Sequence, residues 1–139
     1  MDQTLMFFLA TVLIVAGLLF AFMTLSKKGP KAVNVDKYRT RWLTIEQQLK
    51  KDEVNSYSMV VINADKLVDQ ALMDRGYGGQ TMGERMKKAQ TKWSNVNAIW
   101  TAHKLRNQIA HEPDVRVSYD DTRRALASFR QALKDLGAI

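Results

Sequence analysis

From Leu5 to Leu25 the chain reads LMFFLATVLIVAGLLFAFMTL, 21 residues without a charge, a stretch that a small water-soluble core cannot absorb. As an α-helix rising about 1.5 Å per residue it covers the roughly 30 Å hydrocarbon layer of a bilayer. A cleaved signal peptide would need a basic n-region, an apolar run of roughly 7–15 residues and a small-residue cleavage site. Here the chain starts Met1-Asp2-Gln3-Thr4, the apolar run is longer, and Phe22-Met23-Thr24-Leu25 offers no such site. The reading is a single transmembrane anchor over residues 1–26, a basic juxtamembrane linker over 27–35, and a folded domain over 36–139.

The charges say which way the anchor points. All 21 Lys and Arg lie after residue 26, with 13 of the 14 acidic residues. Six of the cations (Lys27, Lys28, Lys31, Lys37, Arg39, Arg41) fall between residues 27 and 41 against Asp36 alone, so most of the basicity is juxtamembrane. Lys27, Lys28 and Lys31 face an N-terminal side with no Lys or Arg. The positive-inside rule therefore puts the N-terminus outside and the C-terminal domain in the cytoplasm of a single-pass cell-membrane protein. The same three lysines should lie against anionic headgroups, worth about 1 kcal/mol for each cation near the surface. That accounts for the cluster without a nucleic-acid patch. With no cysteine in the chain, disulfides and thiolate metal sites are excluded.

Past the linker the apolar pattern is helical throughout. Gly29-Pro30 breaks the anchor helix. Tyr38, Trp42, Ile45 and Leu49 follow i, i+4, i+7, i+11 and mark a helix from about Asp36 to Lys51. A second stripe runs through Tyr57, Val60, Val61, Ala64, Leu67, Val68, Ala71 and Leu72 and stops at Gly76-Tyr77-Gly78-Gly79, where glycine supplies a C-cap. Thr81 can cap a short helix with Glu84 as its capping-box partner. Next comes Asn95 to His111, ended by Glu112-Pro113 because a residue before proline is pushed out of the helical region. A last helix opens at Ser118 with Asp121, packs Thr122, Leu126, Phe129, Leu133 and Leu136, and closes at Gly137. No strand pattern or repeat occurs, so the fold class is all-α: the anchor followed by an antiparallel bundle of four to five helices. Arg85, Lys87 and Lys88 read most simply as a solvated basic face.

The helix Asn95–His111 divides into three arcs when His103 is set at zero and each residue turns 100°. Ala98, Ala102, Leu105 and Ile109, at about 200–260°, suit the bundle core, and Asn97, Thr101, Lys104 and Gln108, at about 100–160°, suit solvent. The third arc carries Val96, Ile99, Trp100, His103, Arg106, Asn107, Ala110 and, at its edge, His111. Buried cations and amides need partners, and Trp100 and Ile99 are too apolar to leave wet. A second, mixed interface through Val96, Ile99, Trp100, His103 and Ala110 meets both demands, and its simplest partner is another copy of the chain.

Arg106-Asn107-Gln108-Ile109-Ala110-His111 resembles the R-polar-x3-H signature of the HEPN superfamily, small helical bundles that include many metal-independent endoribonucleases. Leu72 to Arg85, a helix end, a Gly-rich turn and Thr81-Met82-Gly83-Glu84, is similar to the corresponding segment of membrane-anchored bacterial HEPN-like proteins. The resemblance covers roughly residues 36–139. It implies a HEPN-like bundle, homodimers in which two such helices face each other across a shared cleft, Arg106 and His111 as a catalytic pair, and Asn107 as the polar residue that orients them. No metal or other cofactor is implied.

These residue types fit RNA cleavage without a metal. Imidazole titrates near neutrality, so His111 can move a proton at the 2′-OH or the leaving 5′-oxygen, while the guanidinium of Arg106 stays charged beside the phosphorane. The two side chains diverge by about 140° on an ideal helix, so the site closes only if His111 leaves the helix end or a second protomer completes it. The alternative is structural. His111 would satisfy terminal carbonyls, and Arg106 would pair with Asp65 or Asp69 of the second helix. Two histidines eight residues apart, with no carboxylate at ligand spacing, carry no metal signal. A membrane-tethered ribonuclease, an RNA- or nucleotide-binding module and a dimerisation domain of a membrane complex thus remain the three function classes.

Overall fold

The computed structural model describes residues 2–26 and 29–139 and divides the chain into two compact units, residues 1–31 and 32–139. Lys27 and Lys28 lie outside the described residues. Six α-helices and no strand occur among the described residues.

The first unit is one helix, α1 (Gln3–Leu25), of 23 residues, none of them buried. It is long and apolar enough to cross a membrane. Two of its three hydroxyls are satisfied by its own backbone, Thr11 donating to the Phe7 carbonyl at 2.8 Å and Thr24 to that of Ala21 at 2.9 Å. A hydroxyl closed onto the helix backbone in this way does not depend on water. Lys31, beyond its end, is exposed.

The second unit is a helical bundle made of α2 (Val35–Gln48), α3 (Val54–Asp74), α4 (Met82–Lys88), α5 (Val96–His111) and α6 (Tyr119–Asp135), with a 3-10 turn at Gln90–Lys92. α3 is the central element and packs against α2, α4, α5 and α6, and α5 also packs against α6. The expected stripes form the core: Tyr38, Trp42 and Ile45 from α2, Val60 to Leu72 from α3, and Leu126, Phe129 and Leu133 from α6. Side-chain caps start four of these helices. Asn34, Thr81, Asn95 and Ser118 accept from the backbone N–H three residues on, each worth about 1 kcal/mol. Glu84 reaches back past Thr81 and accepts from Gln80 N–H at 2.7 Å.

α2 ends three residues earlier than the periodicity predicts, at Gln48. Leu49 turns to an extended conformation there, and the following loop is held by its own polar groups: Ser56 bridges the N–H and carbonyl of Lys50, and the buried Tyr57 hydroxyl donates to the Lys51 carbonyl. Both predicted glycine stops are observed. Gly76 and Gly137 have φ of 92° and 66°. In each case the next residue donates to the carbonyl five positions back, Tyr77 to Leu72 and Ala138 to Leu133, a paired closure available at low cost only to glycine. Arg75, at the end of α3, donates to the carbonyls of Leu136 and Gly137 and so ties the ends of α3 and α6 together.

The start of α2 is tied to the end of α3 through a buried phenol. Tyr38 is fully buried and donates to Asp74, which also accepts from Gln70 and lies 3.9 Å from the Lys37 ammonium. Burial first, then Asp74, pushes the Tyr38 hydroxyl well above its ordinary range. The Tyr38 hydrogen bond, helped by Gln70 and Lys37 against partial desolvation, holds the Asp74 carboxyl below its ordinary value of 3.8. A depressed folded-state value means stabilisation fully present above the unfolded value and lost as pH falls through the folded one. In urea denaturation the gap between wild type and Asp74→Asn should therefore be widest near neutrality and shrink as the pH is lowered through the acid range. A gap that is constant with pH would refute the linkage.

Candidate functional site

An acid in the middle of an apolar row organises the centre of the bundle. Asp65 shares a row of α3 with Val61, Val68 and Leu72, and is only 3% exposed. A carboxylate buried there needs charge-bearing or proton-donating partners, and α5 presents them one turn apart. His103 Nδ1 lies 2.7 Å from Asp65 Oδ1, and Arg106 Nε lies 3.4 Å from Asp65 Oδ2. Asn107, on the same face of α5, accepts from Arg106 Nη1 at 3.1 Å and places its amide nitrogen 3.4 Å from His103 Nε2. Asp65, His103, Asn107 and Arg106 thus form a closed ring of side chains.

The ring fixes orientations that are ambiguous for each residue alone. Because Asn107 Oδ1 accepts from Arg106, its nitrogen must donate toward His103 Nε2. The neutral imidazole then carries its proton on Nδ1 and donates it to Asp65. Arg106 Nε is buried, sits within ion-pair distance of Asp65 and makes no hydrogen bond. Charge rather than direction holds that edge of the guanidinium, and about a third of the side chain remains exposed.

Beside the ring runs an open groove of about 830 Å³. Trp100, His103, Lys104, Asn107 and His111 of α5 form one wall, and Thr81, Met82 and Gly83 around the start of α4 form the other. Trp100 is half-buried, meets His103 edge-on with ring centroids 6.1 Å apart, and lies over Gly83. His111, the last residue of α5, is exposed at the end of the groove.

Of the residues singled out in the sequence, the structure brings together Arg106 and Asn107 and puts His111 on the adjoining groove. No hydrogen bond or ion pair joins Arg106 to His111 among the described residues. The second face of α5 is only partly open. Ile99 is 2% exposed and packs in the core, and His103 is 9% exposed under Asp65. Val96 and Trp100 are half-buried and Ala110 is exposed. The arc looked too polar to bury because Asp65, which sequence offers as a partner for Arg106 alone, in fact serves His103 as well.

The basic run beyond the glycine turn needs a correction. Arg85 is not a solvated cation: it is buried, forms a two-pronged pair with Asp69 at 2.7 and 2.9 Å, and donates to the Gly79 carbonyl. The Asp69 hydrogen bonds raise its pKa further above the usual guanidinium value. Only Lys87 and Lys88 of that run are exposed. The missed signal is again an acid on α3, four residues after Asp65, which gives each cation its own carboxylate. Among the described residues no group of three or more His, Asp or Glu side chains is placed to hold a metal ion. No protein-family model, curated protein or solved structure matches the chain.

If Asp65 holds the ring together, removing it strands a buried imidazole and an arginine. Asp65→Ala should destabilise the domain by about 3 kcal/mol, as expected for breaking a buried pair on one side. A double-mutant cycle of Asp65→Ala with His103→Ala should return a coupling of at least about 1 kcal/mol. Additive losses in denaturant titrations would show that the two do not act as a unit.

Proposed function

We propose that this chain is a single-pass membrane protein whose HEPN-like antiparallel bundle faces the cytoplasm and cleaves RNA without a metal, as a homodimer with composite Arg106/His111 sites. The observation that carries the reading is the placement of Arg106, Asn107 and His111. Asp65 and Asn107 fix one edge of the guanidinium while part of it stays open. The His111 imidazole is exposed at the end of the adjoining groove and makes no hydrogen bond or ion pair among the described residues. Arg106 supplies the standing positive charge for a phosphorane, and His111 the proton transfer at the 2′-OH or the leaving oxygen. About 140° of helix separates their directions, so a second α5 across the groove supplies what one protomer lacks. The half-buried Trp100 is the apolar anchor such an interface would use.

The full-length protein in detergent should cut single-stranded RNA in EDTA, leaving a 2′,3′-cyclic phosphate. His111→Ala should lower the rate by on the order of 10²–10⁴. Because His111 is exposed and has no partner among the described residues, its replacement should leave the fold intact. Arg106→Ala should cost a comparable factor, and mixing the two variants should restore part of the activity, because one site of a heterodimer keeps both groups. Wild-type protein that never cuts RNA overturns the enzyme reading.

A second reading rests on the ring itself. Asp65, His103 and Asn107 already give Arg106 a structural reason to exist, as a non-catalytic RNA-binding or dimerisation module would require. RNA binding without cleavage, or dimerisation alone, would select it.

The membrane part of the proposal rests on α1, uncharged and with no buried residue, and on Lys27, Lys28 and Lys31 following it. Protease added to intact cells should spare residues 32–139, and added to inverted vesicles should digest them. The opposite pattern would refute the cytoplasmic orientation.

A further inference from the structure

Three cations of the bundle converge on one cleft without anions of their own. Arg39 on α2 and Arg130 and Lys134 on α6 line an opening of about 460 Å³ whose floor includes the buried Trp42. None of the three takes part in an ion pair among the described residues. The acid lining the cleft is Glu46, which accepts from Trp42 Nε1 at 2.8 Å. Leu43, on the same wall, is 56% exposed, one of few large apolar side chains outside α1 left so open. On α6, Arg123 lies within about 40° of Arg130 and Lys134 around the helix, which extends the basic stripe.

We infer that this α2–α6 face docks on anionic phospholipid headgroups, with Arg39, Arg130 and Lys134 on the phosphates and Leu43 entering the interfacial layer. An exposed leucine beside Arg and Lys side chains that have no ion pair among the described residues is the pattern of surfaces that lie in a membrane interface. The attraction of a few such cations to an anionic surface is modest, too little for a free protein to dwell there. The tether changes that. Only residues 26–34 separate α1 from α2, a reach of at most about 30 Å, so a chain anchored by α1 holds this face at high effective concentration beside the headgroups. The inference rests on the anchored reading of α1 and is independent of the ribonuclease reading.

The chain has no cysteine, so Leu43→Cys carrying an environment-sensitive fluorophore gives a single exposed reporter on the face, and Lys88→Cys gives a control on α4. Full-length protein is placed in phosphatidylcholine nanodiscs with and without one-third phosphatidylglycerol. The expected result is a blue shift at position 43 only with phosphatidylglycerol, reversed by high salt and removed by Arg39→Glu, Arg130→Glu and Lys134→Glu together, with position 88 unchanged. Protein that co-elutes with nanodiscs of both compositions yet shows no lipid-dependent shift overturns docking while leaving the anchor intact. Protein that co-elutes with neither overturns both. A shift at position 43 produced by single-stranded RNA in neutral nanodiscs but not by phosphatidylglycerol assigns the face to nucleic acid and overturns the inference.

Discussion

Everything in the bundle is keyed to polar groups that α3 cannot satisfy alone. Burying Asp65 in a row of valines and leucines costs several kcal/mol unless partners arrive in good geometry. α5 can supply them only in the register that sets His103 and Arg106 against it. Apolar packing tolerates helix slippage because valine and leucine interchange with modest loss. A carboxylate shared by an imidazole and a guanidinium does not. The ring therefore selects one position of α5 among many that would bury similar apolar area, and that position brings Asn107, Trp100 and His111 to the groove.

The same device recurs along α3, each time with another helix. Asp69 takes Arg85 and with it α4, Asp74 takes Tyr38 and Lys37 and with them the start of α2, and Arg75 takes the final carbonyls beyond α6. Three acids of the central helix and the arginine at its end thus address four different neighbours. Their exposure grades from the buried Asp65 to the partly open Asp74. Solvent screening weakens exposed pairs, so the register of α5 is specified most firmly and the outer ties act mainly as guides. The candidate groove on α5 thus lies beside the most deeply buried of these ties.

Helix existence and most boundaries, the end of α2 excepted, were legible because they depend on local rules. The i, i+4, i+7 rows through Tyr38 and Val60, the caps at Thr81 and Ser118, and the stops at Gly76 and Gly137 all follow from residues within a turn of one another. The site was only half legible. Arg106, Asn107 and His111 became candidates through the resemblance of their hexapeptide, but whether His103 is buried or free depends on which acid of another helix faces it. Sequence spacing carries no such distance. Arg85 was misread for the same reason, since a cation beside Lys87 and Lys88 looks solvated until Asp69, sixteen residues upstream, is seen to point at it. An acid inside an apolar row, as Asp65 is, would have been the clue to both.

An anchor would change how strong the interactions at this groove have to be. The open part of α5, with Trp100 half-buried and Ala110 and His111 exposed, is small beside the roughly 1,200–2,000 Å² that a stable soluble complex buries. Chains confined to one bilayer and held in one orientation have already lost most of the translational and rotational freedom that association otherwise costs. A patch too small to dimerise a free domain can then bring two α5 helices together, provided that both domains present the groove along the membrane plane. Docking through the α2–α6 face would fix the rotation of the bundle on its tether, and with it the direction in which the groove opens. If the proposed docking and dimerisation both hold, the basic face and the α5 groove would be parts of one arrangement, the first setting the direction in which the second meets its partner.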